Sequence, residues 1–216
     1  AGLNHGEILG FVPKINLPNY NEFYEARYFT SGEKVDGSIT IKKEAPELEF
    51  DTEKFAGILT GGKVIEFGFD DMDEEYDMED EENPDYIEDD SEEEDMDEYD
   101  VSISPNLVFT CNEIPKLQVA AEICEDLWVP NPPSVQHAYH GANLIVNLSA
   151  SDEVVGKDAY RRSLVSAQSA RLLCGYIYAS AGEGESTQDV VYGGHNLIAE
   201  NGTILAESRR FVNGVI

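Results

Sequence analysis

Apolar residues in the second half of the chain fall in short, nearly continuous runs, separated by turn signals and one longer stretch of helical periodicity. Such runs are typical of strands buried in a sheet, and the helical stretch covers residues 160–173. A short helix fits residues 134–140, and Asn201–Gly202 is a strong hairpin signal. The order of these elements predicts a layered α/β domain. The predicted strands are residues 117–124, 142–148, 176–179, 193–199 and 203–206.

The first half of the chain is patterned more weakly. Residues 6–13 predict a short strand that leads into a loop rich in Pro and Asn, and residues 22–29 predict a helical turn or loop. Residues 30–52 are polar, with turn signals at Ser31–Gly32 and Asp36–Gly37. Residues 63–69 predict another strand after a Gly–Gly turn.

Residues 70–100 hold 21 of the 44 acidic residues and no Lys or Arg. The remainder has 23 acidic and 14 basic residues, so neither part offers a basic surface for nucleic acid. Mutually repelling charges and few apolar side chains predict a disordered or loosely attached insertion. The alternative is an arm that binds cations or a basic partner, because all three methionines lie there among carboxylates. The pattern of a calcium-binding loop is absent.

Composition and termini favour a reducing, aqueous environment. Three cysteines and no signal-peptide pattern predict a cytoplasmic protein. No uninterrupted apolar run approaches the roughly 18 residues that a membrane-spanning helix needs. Neither the cysteines nor the histidines have the spacing of metal ligands, so no metal is predicted.

Cys124 is the first candidate for chemistry. It ends an apolar run and is followed at once by two acids, a Trp and a rigid Val-Pro-Asn-Pro-Pro stretch. A cysteine at the end of a strand, before a sharp turn, is placed like a nucleophile, with the next backbone N–H available to an oxyanion. The competing interpretation is a buried core thiol, which is what Cys111 and Cys174 are expected to be.

Lys14 is the second candidate, because it lies between a predicted strand and a proline-braced loop. Glu22 follows eight residues later and is in range to fold back and pair with it. A lysine near a thiol lowers the thiol pKa and stabilises an oxyanion. An ordinary surface Lys–Glu pair remains the alternative.

The two candidate segments belong to a longer set of motifs. VPK, LPNYNEF, EICEDLWVP, NLSAS and YASAGEGEST, in this order, resemble the nitrilase superfamily. More narrowly, they resemble the amidase domain of glutamine-dependent NAD synthetases, from about residue 3 to residue 211. The resemblance implies a four-layer α-β-β-α sandwich, here expected to lack its first strands and helices.

The resemblance also implies a site for hydrolysis of the glutamine side-chain amide through a thioester. Cys124 matches the nucleophile, Lys14 the catalytic lysine and Glu22 a second, positioning glutamate. The backbone N–H of the residue after the cysteine is expected to hold the oxyanion with Lys14. The positions that match the glutamine pocket are Tyr20, Glu125 and Ser151.

Other expectations concern what lies outside these residues. The family's general-base glutamate precedes the lysine loop, and Glu7 is a poor substitute for it, so this stretch alone is expected to be nearly inactive. The amidase needs no cofactor, whereas ATP and magnesium belong to a synthetase domain of the same full-length chain, which receives the ammonia. A homo-oligomer is expected, without nucleic acid or membrane partners.

Two rival functions stay open at this point. One is a different carbon–nitrogen hydrolase, such as a carbamoylase, a nitrilase or an aliphatic amidase. The other is a non-catalytic interaction module that displays the acidic arm to basic partners.

Overall fold

The computed structural model describes residues 1–4, 7–42, 64–67, 98–185, 190–212 and 216 of the 216-residue chain. Most of the predicted acidic insertion, residues 70–97, lies outside the described residues. The strands are β1 (Gly2–Asn4), β2 (Glu7–Gly10), β3 (Gly37–Lys42), β4 (Val64–Phe67), β5 (Glu98–Ile103), β6 (Val108–Cys111), β7 (Gln118–Ile123), β8 (Leu144–Ser149), β9 (Gly175–Ser180), β10 (Leu197–Glu200) and β11 (Thr203–Glu207). The α-helices are α1 (Ser134–Tyr139) and α2 (Lys157–Leu172).

The central sheet of the described chain has seven strands in the order β11-β10-β9-β8-β7-β6-β4. Strands β7, β8 and β9 are parallel, and their carboxyl ends therefore lie at one edge of the sheet. Antiparallel β10 and β11 extend one side of this parallel centre, while β6 and β4 extend the other. Asn201 and Gly202 both have positive φ, as the predicted two-residue hairpin turn requires.

Both helices pack on the central sheet, α1 against β7 and α2 against β9, β10 and β11, and they also contact each other. Side chains from the helices and the sheet form one apolar core. The predicted α/β layering and the strands and helices of the second half are confirmed. The buried core residues are Val108, Ala120, Leu127, Ala142, Ile145, Val165, Cys174, Tyr176, Tyr178, Leu197 and Ala199.

The remaining strands form two small sheets, β1 with β2 and β3 with β5. Strand β2 confirms the predicted strand at residues 6–13, and a 3-10 turn at Glu25–Arg27 confirms the predicted helical turn. Strand β3 lies in the weakly patterned region, where no strand was predicted. It alternates exposed Ser38 and Thr40 with partly buried Ile39, so one face carries the apolar side chains.

The pairing of β3 with β5 also corrects one boundary of the acidic insertion. Residues 98–100 belong to β5, although the sequence predicted an unstructured segment up to residue 100. Thr40 pairs with Asp100 in the antiparallel register and donates a hydrogen bond to its carboxylate at 2.6 Å. A cross-strand partner 60 residues away therefore stabilises the acidic end of the segment in a strand.

Among the helices that the structure describes, neither the length nor the apolar content of any one suffices to cross a lipid bilayer.

Candidate active site

Cys124 lies at the carboxyl end of β7, where the chain turns into a short 3-10 helix at Cys124–Leu127. Its φ of 51° is in the left-handed region, which disfavours an L-residue by roughly 1–2 kcal/mol. The side chain is partly buried, whereas Cys111 and Cys174 are buried. The prediction that Cys124 ends a strand before a sharp turn is confirmed.

Asn147 stabilises this backbone conformation from the neighbouring strand β8. Its Oδ1 accepts the N–H of Cys124 at 3.2 Å, and its Nδ2 donates to the carbonyl of Cys124 at 3.5 Å. The side chain is completely buried. Since the N–H of Cys124 is already bonded, the backbone N–H of Glu125 is the next donor along the turn.

Asp126 joins the cysteine turn to the lysine loop. One carboxylate oxygen accepts the backbone N–H of Asn16 at 2.8 Å and its side-chain amide at 2.9 Å. The other oxygen accepts the N–H of Ile123 at 2.9 Å. Asp126 is 1% exposed, so these bonds are shielded from water. One buried carboxylate thus fixes the position of the loop that carries Lys14 relative to Cys124.

Lys14 forms an ion pair, but with Glu25 and not with the predicted Glu22. Lys14 Nζ and Glu25 Oε2 are 2.5 Å apart. The 3-10 turn at Glu25–Arg27 accounts for the difference, because the N–H of Glu25 bonds back to the carbonyl of Pro18 at 3.1 Å. This turn directs Glu25 to the lysine and leaves Glu22 to line the adjacent pocket.

A pocket of about 220 Å³ opens at the cysteine. Of the predicted site residues, Cys124, Tyr20, Glu22, Glu125 and Ser151 line it, and Lys14 lies beyond the lining. Apolar and aromatic side chains form most of the rest of the wall, together with one amide and one cation. These further lining residues are Pro18, Asn21, Phe23, Trp128, Val154 and Lys157.

Glu125 is, with Glu22, one of two acidic residues that line the pocket. Tyr20 donates its hydroxyl to both carboxylate oxygens, at 2.9 and 3.0 Å. Burial raises the pKa of Glu125 above its ordinary value, although the bond from Tyr20 and the charge of Lys14 oppose the shift. Burial and the same hydrogen bond raise the pKa of Tyr20, so its proton stays on the hydroxyl at neutral pH.

Lys157 supplies the positive charge of the pocket lining. It begins α2, where the helix dipole disfavours a cation, and an ion pair with Asp152 compensates. Its ammonium group lies 5.6 Å from the ring centre of Phe23 and 5.4 Å from that of Trp128. These aromatic faces and the carboxylate of Asp152 keep the ammonium at the pocket wall.

Sequence reasoning missed four residues that the geometry places around the site: Glu25, Asp126, Asn147 and Lys157. A polar residue inside the apolar run 142–148 was a usable signal for Asn147, since a buried amide needs hydrogen-bond partners. A lysine three residues before the predicted helix at 160–173 was a weaker signal for Lys157. Nothing local distinguishes Glu25 from Glu22.

The other cysteines lack the features of a nucleophile. Burial raises the pKa of the Cys174 thiol to about 11, which suppresses the reactive thiolate. The thiol of Cys111 donates to Glu113 at 3.5 Å. In the described ranges, no group of three or more His, Cys, Asp or Glu side chains is arranged to hold a metal ion.

Known proteins are similar to this chain in sequence and in fold. The chain is 35% identical over 213 residues to the glutamine-dependent NAD(+) synthetase of Mycobacterium tuberculosis, which is 99% of this chain and 23% of that protein. It is 34% identical over 212 residues to the synthetase of Mycobacterium leprae, again covering 23% of the relative. The chain thus spans about a quarter of the length of these curated relatives. No protein-family model matches it.

Solved structures agree with the sequence comparison. The glutamine-dependent NAD(+) synthetase from Cytophaga hutchinsonii superposes with a TM-score of 0.58 at 21% identity, over 96% of this chain and 24% of that chain. The synthetase from Acinetobacter baumannii gives a TM-score of 0.57 at 18% identity, over 98% and 26%. These similarities confirm the predicted fold. Over nearly its whole length, the chain is related to one region of the glutamine-dependent NAD(+) synthetases, the family that its motifs predict.

Proposed function

We propose that this chain hydrolyses the side-chain amide of glutamine and supplies the ammonia to NAD synthesis. The observation that carries the proposal is Cys124, a partly buried thiol at a positive-φ strand end, which opens into a pocket with opposed charges. Glu125 lies at one wall and Lys157 at another. A free amino acid carries an ammonium and a carboxylate, and these walls complement the two groups. The apolar side chains between them suit the methylene chain of glutamine.

In the proposed reaction, the Cys124 thiolate forms a C–S bond with the amide carbon of glutamine. The resulting oxyanion is stabilised by Lys14 and the backbone N–H of Glu125. Collapse breaks the C–N bond, and the nitrogen takes a proton and leaves as ammonia. Water then attacks the thioester, releasing glutamate and the thiol. The ion pair with Glu25 holds the Lys14 side chain in place.

The assignments within the pocket follow its charges. Glu125 and Glu22 are the acidic groups for the substrate ammonium, and the hydroxyl of Tyr20 orients Glu125. Lys157 and the Ser151 hydroxyl are the donors for the substrate carboxylate. In this proposal Glu25, and not Glu22, is the glutamate that positions Lys14.

The proposal places two further functions elsewhere in the full-length gene product. The general base is a glutamate outside these 216 residues, as the family resemblance implies, so the 216-residue chain alone is expected to be nearly inactive. The ammonia is consumed by an ATP- and magnesium-dependent synthetase domain that amidates adenylated nicotinic acid adenine dinucleotide.

The test is ammonia release from glutamine by the full-length gene product and its Cys124→Ala variant. We expect release by the wild type and a loss of at least about 1,000-fold in the variant, because no other group forms the thioester. Cys174→Ala is the matched control, since its thiol is buried and lies outside the pocket. It should retain activity.

Two experimental results would favour one of the two rival functions over the glutaminase. Hydrolysis of other amides, with no ammonia from glutamine, would identify a different carbon–nitrogen hydrolase. A folded wild type with no amidase activity, but with salt-sensitive binding to basic proteins, would favour the interaction module.

A further inference from the structure

Arg161 is completely buried and lies one turn into α2, behind the pocket wall. Its Nη2 donates to the Ser151 hydroxyl and to the carbonyl of Asp152, both at 3.1 Å. Its Nη1 donates to Glu153 Oε1 at 2.8 Å and to His195 Nδ1 at 2.9 Å. Three consecutive residues, 151–153, therefore contact a single guanidinium group.

Burying this guanidinium has a higher desolvation free energy than an ion pair at the surface, which would stabilise the fold as well. A buried guanidinium loses its hydration, and among the described residues its Nε has no hydrogen-bond partner. The carboxylate of Glu153, itself 6% exposed, compensates for the charge. The other three hydrogen bonds go to neutral acceptors, two of them on the segment that forms the pocket wall.

The contacts of Arg161 reach both donors that face the substrate carboxylate in the proposed pocket. Ser151 is held directly through its oxygen. Lys157 is reached through Asp152, whose backbone carbonyl accepts from Arg161 and whose carboxylate pairs with Lys157. Displacement of the guanidinium would thus move both donors together.

The chemistry of the guanidinium also determines which way the Ser151 hydroxyl points. A guanidinium only donates, so the Ser151 oxygen accepts and its own proton remains for another acceptor. The hydroxyl of Tyr178, which shares a 2.7 Å hydrogen bond with Ser149, is one such acceptor, because it also interacts with the Ser151 hydroxyl. A carboxylate in the pocket is the stronger acceptor.

His195 supports Arg161 from the side away from the pocket. Because Nδ1 accepts from Arg161, the imidazole proton is on Nε2, which donates to Glu207 at 2.8 Å. The guanidinium is therefore fixed between the wall segment and the β10–β11 hairpin.

We propose that Arg161 is a positioning residue for substrate selection: by fixing Ser151 and the Asp152–Lys157 pair, it makes the pocket select amides that carry an α-carboxylate. Arg161 does not touch the substrate. This inference rests on the proposed glutaminase function.

The experiment uses the full-length gene product with Arg161→Lys, Ser151→Ala and the double variant. The kcat and KM are measured for glutamine and for 4-aminobutanamide, which is glutamine without its carboxylate. Arg161→Lys should raise the KM for glutamine by about 10- to 100-fold, as loss of a charge-assisted hydrogen bond predicts. Its kcat should change by less than about threefold, and the KM for 4-aminobutanamide should stay constant. The double variant should resemble the stronger single variant, since both act on one hydroxyl.

Arg162→Lys is the matched control, because Arg162 is the next residue on α2 and makes an exposed ion pair with Glu207. It should leave both substrates unaffected. If Arg161→Lys does not fold, His195→Gln changes the support of Arg161 outside the pocket and should raise the KM for glutamine alone by a few-fold.

Equal losses with both substrates, an unchanged KM for glutamine, or multiplicative effects of Arg161→Lys and Ser151→Ala would overturn the assignment of Arg161. A wild type that hydrolyses no glutamine would overturn the proposed function, and the inference with it. Activity of the wild type distinguishes these two failures.

Discussion

The two sides of the pocket are organised by buried ions of opposite charge. On the cysteine side, the carboxylate of Asp126 accepts three N–H groups and joins the lysine loop to the cysteine turn. On the Ser151 side, the guanidinium of Arg161 donates to three consecutive residues of the wall segment and to His195. Each ion lies outside the pocket lining and acts through the groups that it holds.

We therefore expect the two sides of the pocket to affect different kinetic parameters. In the proposed reaction, Asp126 controls the distance between the Cys124 nucleophile and the Lys14 cation, which matters most in the transition state. Arg161 controls donors for a part of the substrate that does not react, which matters equally in the ground state and the transition state. Substitutions on the first side should therefore lower kcat, and those on the second should raise KM.

The largest effect is expected from Asp126→Asn in the full-length gene product. An amide is nearly isosteric, but its NH₂ group faces one of the N–H donors that the carboxylate now accepts. The lysine loop should shift relative to Cys124, and a misplacement of about 1 Å costs on the order of 100-fold in rate. We expect kcat for glutamine to fall by about this factor, with KM changed less than about threefold.

Asp158→Asn is the matched control, because Asp158 makes an ion pair with Arg210 at 2.9 Å outside the pocket lining. It should leave steady-state kinetics unchanged. A rise in KM at constant kcat for Asp126→Asn would contradict the division between the two sides.

A smaller effect, on KM, is expected from Lys157→Met. The methionine retains contact with Phe23 and Trp128 but has no charge for a substrate carboxylate. We expect the KM for glutamine to rise about tenfold, as loss of one charge-assisted hydrogen bond predicts, with kcat little changed. Glutamine and 4-aminobutanamide should become similar substrates.

Lys34→Met removes a lysine that is exposed in the described chain and serves as the control for loss of charge. A Lys157→Met variant with reduced kcat and constant KM would place Lys157 on the catalytic side.

The strands, the helices and the position of Cys124 at a strand end could be predicted because each depends on neighbouring residues. The apolar runs in the sequence predict β7, β8 and β9, and Cys124 follows β7 directly. The predicted fold and family rest on long motifs around that strand end. Tyr20, Glu125 and Ser151 were predicted by resemblance, and all three line the pocket.

The remaining features depend on contacts between distant segments. Strand β3 required its partner β5, and the choice of Glu25 over Glu22 required the turn that carries Glu25 back to Lys14. Arg161 forms an ion pair with Glu153, eight residues away along the chain. Its simultaneous contact with residues 151–153 is visible only in the folded chain.

Glu122 is a third buried ionisable group, after Asp126 and Arg161, and we expect it to make the stability of the fold depend on pH. Burial raises its pKa above the ordinary 4.5, although Tyr176 and the N–H of Ser134 donate to it and favour ionisation. The folded state then holds this proton more tightly than the unfolded state. The stability that Glu122 contributes is therefore complete below about pH 4.5 and is lost as pH rises through its folded pKa.

Glu207 should behave in the opposite sense. Partial burial opposes ionisation, but hydrogen bonds from His195 and Arg162 outweigh it and lower the pKa of Glu207. Its contribution is therefore present above the unfolded pKa and is lost as pH falls through the folded pKa. The two carboxylates give pH slopes of opposite sign within one domain.

Glu122→Gln and Glu207→Gln test these slopes in the full-length gene product. Samples are equilibrated with urea at pH 4 to 8 and then labelled by a short deuterium pulse at one fixed pH, so that peptides from β7 to β9 report the unfolded fraction. Relative to Glu122→Gln, the wild type should lose stability as pH rises, whereas relative to Glu207→Gln it should gain. Since only the slope is compared, a constant change in stability caused by either amide has no influence. Parallel curves for the wild type and Glu122→Gln would show that burial does not perturb Glu122.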